Sequence, residues 1–225
     1  MATFPVATQF QPIAPMPSRW SAGAWLVARP GTGLGAAPGG GQIGGSQAGL
    51  RIAWLAVPDK EIAVFARIAA PLAGRGAEGA IGLEWQPTRA PVRLVAEQRF
   101  GLDGTPDGTG LGVIAGLDTP LPAVFRLEVY GQAGAIRRSR IEPYADGAAR
   151  ATRVVAGSGR LRLALGVGIW GAAQRDARRL DLGPSATLGL PLGAQNIRLA
   201  LDWRQRVAGD ARPGSGPALT IGGDF

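Results

Sequence analysis

Arginine and carboxylate are the charged chemistry this chain holds in quantity, and they recur at even spacing. Arg93, Glu97 and Arg99 form one such set; Arg198, Asp202, Arg204 and Arg206 form another. Even spacing puts side chains on one face of a strand. Such a face can form ion pairs, or present arginine's planar fork to carboxylated or phosphorylated sugars. The 225 residues contain no Cys and no His. That removes disulfides, thiolate nucleophiles, His-ligated zinc and Ser-His-Asp hydrolysis. A lipid-modifying site would have to rest on Ser, Tyr or Asp alone, and no cluster supports one. The chain is expected not to be an enzyme and to need no metal or cofactor.

The positive residues outnumber the negative, 24 against 16, for a formal net charge of +8. All but Lys60 are arginine. Nucleic acid is the first partner such a charge suggests. No basic helix, aromatic stacking ladder or zinc module accompanies it, so no nucleic-acid partner is expected. The run Gly39-Gly40-Gly41-Gln42-Ile43-Gly44-Gly45-Ser46 lacks the Gly-Lys-Ser/Thr of a phosphate loop. Asp103, Asp107 and Asp118 fit no EF-hand spacing.

Alternation positions these charges. In 196–207, Ile197, Leu199, Leu201, Trp203 and Val207 share one face, and Arg198, Asp202, Arg204 and Arg206 the other. In 78–86, Ile81, Leu83 and Trp85 oppose Glu78, Glu84 and Gln86. A helix would scatter these charges; a strand segregates them. The same pattern predicts strands over 19–29, 47–56, 61–70, 91–99, 123–133, 160–170, 179–190 and 217–225. It is weaker over 110–117 and 144–155, whose apolar faces are mostly Ala and Gly. That makes about twelve strands, each near the roughly 9–11 residues that a tilted strand needs to cross a bilayer. Turn-like connections at 57–60, 87–90, 118–122, 156–159 and 193–195 alternate with longer segments at 30–46, 71–77, 101–109, 134–143, 171–178 and 208–216.

The expected fold is therefore all-β: a closed antiparallel transmembrane barrel, with short periplasmic turns and longer extracellular loops. The stretch 1–18, with Pro5, Pro12, Pro15 and Pro17, reads as a Pro-rich linker or truncated junction without a signal peptide. The barrel is expected over 19–225. Trp20, Trp54, Trp85, Phe125 and Phe225 fall on the apolar face beside the short turns, as an interfacial girdle would. Leu219, Ile221 and Phe225 end an alternating strand, the form of a signal read by barrel assembly machinery.

The expected lumen lining is Arg51, Arg67, Arg93, Arg99, Arg126, Arg162, Arg198, Arg204 and Arg206 with Glu84, Glu97, Glu128, Asp181 and Asp202. Paired, these charges plug and stiffen the barrel; incompletely paired, they give an anion-preferring pore. A second set, Arg75, Arg137, Arg138, Arg140, Arg175, Arg178, Arg179 and Arg212, is expected on the long-loop rim, facing membrane lipid and lipopolysaccharide phosphates.

The segments Arg19-Trp20-Ser21-Ala22-Gly23-Ala24-Trp25, Gly44-Gly45-Ser46-Gln47-Ala48-Gly49-Leu50-Arg51, Gly82-Leu83-Glu84-Trp85-Gln86-Pro87 and Asp202-Trp203-Arg204 resemble the C-terminal barrel of the bacteriophage adsorption protein A type. That family's arrangement is similar to that of outer-membrane exopolysaccharide exporters. The resemblance implies a Gram-negative outer-membrane location and a periplasmic helical-repeat domain or subunit as partner. It also implies saccharide passage or a surface-receptor role. The chain departs from the family in containing no helical repeats. The function expected is a pore for a polar or anionic saccharide; the alternative is a non-conducting structural or receptor barrel with a lumen closed by Arg–Glu/Asp pairs.

Overall fold

The computed structural model describes residues 19–30, 36–37, 41–42, 45–159, 161–192 and 195–224. The expected linker 1–18 and the terminal Phe225 lie outside the described residues.

Alternation becomes a barrel in which every wall strand pairs with its chain neighbour. The strands are β1 (Trp20–Ala28), β4 (Gln47–Val57), β5 (Ile62–Pro71), β6 (Glu78–Trp85), β7 (Val92–Gly101) and β8 (Gly108–Pro120) on one side. The wall continues through β9 (Phe125–Arg137), β10 (Ile141–Ser158), β11 (Leu161–Gln174), β12 (Ala177–Leu192), β13 (Gln195–Gly209) and β14 (Gly216–Asp224). Two-residue strands β2 (Ala36–Ala37) and β3 (Gly41–Gln42) pair within the connection after β1. The ring closes where β1 meets β14 antiparallel, from Gly23↔Asp224 to Ala28↔Leu219. Closure satisfies the backbone of both edge strands, which a chain in lipid requires.

The side chains face as the pattern predicts. Leu50, Ile52, Val64, Ile68, Ile81, Leu83, Leu94, Leu111, Val167 and Leu201 are exposed on the outer wall. Arg51, Arg67, Glu84, Arg93, Glu97, Arg99, Asp181 and Asp202 are buried on the inner wall. A soluble barrel would invert this arrangement, because water would cover the charges and the apolar side chains would fill the core. An apolar outside and an ionic inside define a transmembrane barrel.

The rims differ less than the sequence suggests. The expected loop 134–143 is mostly strand: β9 and β10 pair out to Arg137↔Ile141, leaving three residues at 138–140. The expected loop 171–178 shrinks to 175–176, because β11 and β12 pair out to Gln174↔Ala177. Small residues hid these extensions. Gly and Ala carry little alternation signal, yet they let strands approach closely: a Cβ on Gly134 would lie 2.3 Å from the Leu111 carbonyl oxygen. The connection 29–46 stays long. The strands β10 to β13, at 18, 14, 16 and 15 residues, make the wall taller on that side.

Candidate functional site

The inner wall carries two ionic clusters and an apolar layer. In the first cluster the register brings Arg67, Ala80 and Arg99 side by side across β5, β6 and β7. Ala80 is too small to separate the guanidiniums, and Glu97 on the same face bridges them. Arg67 donates to both Glu97 carboxylate oxygens, Nε at 3.2 Å and Nη2 at 3.0 and 3.1 Å. Arg99 donates to Glu97 through Nε at 2.6 Å and pairs with Glu78 at 3.4 Å. Arg138, from the β9–β10 turn, joins Glu78 and Glu142. Nearer the short-turn rim, Glu84 takes Arg51 at 2.6 Å and Arg93 at 3.4 Å. Arg51 also lies 5.1 Å over the Phe65 ring.

The second cluster lies on β10 to β13. Asp202 accepts from Arg150 at 2.8 Å, Arg204 at 3.2 Å and the Ser185 hydroxyl at 2.7 Å. The Trp170 ring lies beneath both guanidiniums, 5.4 Å from Arg150 and 4.7 Å from Arg204. Asp181 accepts from Arg206 at 2.7 Å, pairs with Arg29 at 3.4 Å, and also bonds Arg179.

Some pairs cross the lumen rather than run along it. Arg198 on β13 holds Glu128 on β9 through two bonds, at 2.6 and 2.5 Å, although three strands separate them along the wall. Arg150 and Asp202 likewise join β10 to β13. Within the first cluster, between the Arg67–Glu97 and Glu84–Arg93 pairs, Ala53, Phe65, Val95, Ile114 and Tyr130 form a buried apolar group on the inner face. Cross-wall ties and an apolar layer both narrow a lumen.

Of the expected lining, Arg51, Arg67, Glu84, Arg93, Glu97, Arg99, Glu128, Asp181, Arg198 and Asp202 are buried inside. Arg126, Arg162, Arg204 and Arg206 are half-buried, with Arg126 paired to Asp118 at 2.5 Å. Two arginines expected on the lipid-facing rim are corrected: Arg138 and Arg179 turn inward to Glu78, Glu142 and Asp181. They were misplaced because 134–143 and 171–178 read as loops rather than strand ends. Arg150 was missed because Ala and Gly surround it; Trp170 was missed although Leu161, Leu163, Leu165, Val167 and Ile169 alternate ahead of it and leave it on the opposite face. Their parity with Thr152 and Ala164 was the signal available.

Of the expected girdle, Trp20, Trp54, Trp85 and Phe125 are exposed beside the short turns, and the Trp20 and Trp54 rings meet tilted by 36°, 6.3 Å between centroids. Leu219 and Ile221 stand on the outer face of β14, opposite in parity to buried Ala218 and Thr220. Their partner in the expected assembly signal, Phe225, is outside the described residues.

No protein-family model matches the chain, and no curated protein matches its sequence. Solved structures match at low identity. The beta domain of the Bordetella autotransporter BrkA is 13% identical, with a TM-score of 0.45 over 92% of this chain and 98% of that one. An outer membrane channel from Pseudomonas putida is 12% identical, with a TM-score of 0.47 over 96% and 99%. A bacterial polysaccharide outer membrane secretin is 11% identical, with a TM-score of 0.42 over 92% and 98%. The likeness is one of barrel form and reaches no further.

Proposed function

We propose that this chain is an outer-membrane barrel of a Gram-negative bacterium whose lumen is closed, and that it serves as a surface anchor or receptor. The observation that carries this reading is the Glu128–Arg198 tie from β9 to β13, seconded by Arg150–Asp202. The apolar outer wall and the aromatic side chains at one rim support a bilayer as its medium. Both chain ends of the barrel, Trp20 and Asp224, lie at the short-turn rim, which we assign to the periplasm. Work outside the lumen falls to the opposite rim, as in the receptor role that the bacteriophage-adsorption resemblance implies.

A second reading, an anion-preferring pore for a charged saccharide, has one observation in its favour. On the β10–β13 side the guanidiniums of Arg29, Arg150, Arg179, Arg204 and Arg206 share two carboxylates, Asp181 and Asp202. Planar-bilayer recording separates the two readings. The closed barrel gives no steady single-channel current, and Glu128→Gln creates one. A steady, anion-selective current from the unaltered protein would sink the closed reading and install the pore.

A further inference from the structure

The outer wall of β9 to β12 is not smooth. Inward Tyr130, Arg150, Trp170 and Arg179 fix the parity of these strands, so the residues between them face lipid. The register then aligns three rows. Ala133, Ala145 and Ala173 lie side by side, and the row ends at Arg178. Below it run Gly131, Gly147 and Gly171, ending at Leu180. Below that, Val129, Ala149 and Ile169 form a sill. Small side chains flanked by larger ones leave a concavity of about 660 Å³, lined by Val129, Ala145, Gly147, Ala149, Ala173 and Arg178 among others. That size is within the range of about 300–1,000 Å³ that ligand sites occupy.

The charge at its upper end says what fills it. Arg178 faces outward at the long-loop end of β12, and Arg137 ends β9 facing outward too; the other outward arginine of these four strands, Arg153, lies at the opposite rim beside Phe125. Arg175 forms half of the two-residue turn above, and Arg140, 57% exposed on its side chain, tops the next hairpin. Among the described residues no carboxylate lies within ion-pair distance of Arg137, Arg175 or Arg178; Arg140 reaches Glu142 and Asp176 only at 3.8 Å. The height agrees. Ala145 is eight residues above Arg153, which pairs with the girdle residue Phe125. At about 3.3 Å per residue and a tilt near 40°, that is roughly 20 Å up an apolar band about 25 Å tall. The depression sits in the leaflet away from the chain ends, with the arginines at headgroup level.

We infer that this concavity binds an acyl chain of lipopolysaccharide while Arg178 and the arginines above it hold the glucosamine phosphates. A glycolipid with several phosphates and several saturated chains matches both an arginine row and a groove. A second copy of the barrel does not, because a two-fold contact through the groove would set the arginine row against its own copy, Arg178 facing Arg137. The inference rests on the outer-membrane reading above.

Native mass spectrometry of the barrel refolded in detergent tests it, with purified lipid A and phosphatidylglycerol as probes. The unaltered protein should retain one lipid A after the detergent is stripped. Arg175→Gln/Arg178→Gln should lower the retained fraction about tenfold. Ala149→Leu/Gly171→Leu, which fills the groove, should do the same; a Cβ at Gly171 meets nothing closer than 3.7 Å. Arg19→Gln, at the opposite rim, should retain lipid A. Equal retention of phosphatidylglycerol, unchanged retention by the filled variant, or a barrel dimer in place of the adduct would each overturn the inference. Heat-modifiable gel migration reports folding separately. A folded barrel that keeps no lipid A overturns this site alone, whereas a chain that never shows the folded band overturns the outer-membrane reading with it.

Discussion

Glu128 and Arg198 are 70 residues apart in the chain and joined by two hydrogen bonds inside it. Both are nearly out of reach of solvent, so removing one takes a bidentate counter-charge from a buried ion. Glu128→Gln should therefore lower unfolding stability in lipid vesicles by about 3–5 kcal/mol, while replacing both residues with Leu should recover most of the loss. Urea titration of the vesicle-embedded barrel measures each. Outside the wall, Asp103 in the loop 102–107 accepts from the backbone N–H of Ala77 at 3.0 Å and of Gly76 at 2.5 Å, and from the Thr105 hydroxyl at 2.8 Å. These donors hold its carboxyl well below the usual carboxylate range. A carboxyl whose pKa is depressed by folding stabilises above its unfolded value and loses that contribution as pH falls toward the folded one. The loops 72–77 and 102–107 should thus keep their protection from hydrogen exchange down to about pH 4 and lose it below. Asp103→Asn should lose it at every pH. At this scale the sequence was most legible where large residues alternate: Arg67, Glu97 and Arg99 could be placed inward without a structure. Arg150 could not, because its neighbours Ala149 and Ala151 carry almost no facial preference. Nor could sequence say which carboxylate each arginine meets, since Glu128 finds Arg198 only once the wall has closed.

A strand in this wall is a depth gauge, and β6 shows it. Its outward residues Gly79, Ile81, Leu83 and Trp85 step from the upper part of the band to the girdle, while Glu78, Ala80 and Glu84 are buried inside. A guanidinium placed outward should cost according to depth. Ile81→Arg should lower stability by about 2–4 kcal/mol, and Trp85→Arg, at the interface, should cost at most about 1 kcal/mol from the charge itself. Reversible unfolding in phosphocholine vesicles checks the gradient; equal costs at the two sites would mean that the apolar face does not lie in lipid. Strand existence was legible for every wall element, including the weak ones at 110–117 and 144–155. Strand ends were not. Pairing through Gly134, Ala135 and Pro143 extends β9 and β10 by backbone bonds that no side-chain pattern announces. That error at the element scale produced the error at the residue scale, since pairing out to Arg137 and Ala177 puts Arg138 in a tight turn over the lumen and Arg179 on the inner face of β12, where long loops would have left both on the rim.

The whole molecule depends on one seam. Each of the other strands is joined to a chain neighbour by a hairpin or loop, but β1 and β14 meet only by the pairing from Gly23↔Asp224 to Ala28↔Leu219. Alternation foretold two-faced strands and an even number of them, and so a wall with both ends at one rim. It could not foretell the register of closure, which is a contact between residues some two hundred positions apart. Opening the seam exposes two rows of backbone N–H and C=O to hydrocarbon, where no water replaces the lost partners and each unmet group costs several kcal/mol. The cross-lumen ties lie on the same circuit. Residues Arg198 and Asp202 on β13 are held in place by β14 through Arg198↔Gly222 and Asp202↔Ala218. Removal of 216–225 should therefore abolish the barrel rather than shorten its circumference by one strand. The truncated chain should lose heat-modifiable migration and become fully sensitive to trypsin at its many arginines, while the complete chain folded in detergent resists. A compact, protease-resistant band from the truncated chain would mean that β13 can pair directly with β1, and that the circuit of ion pairs tolerates a narrower ring.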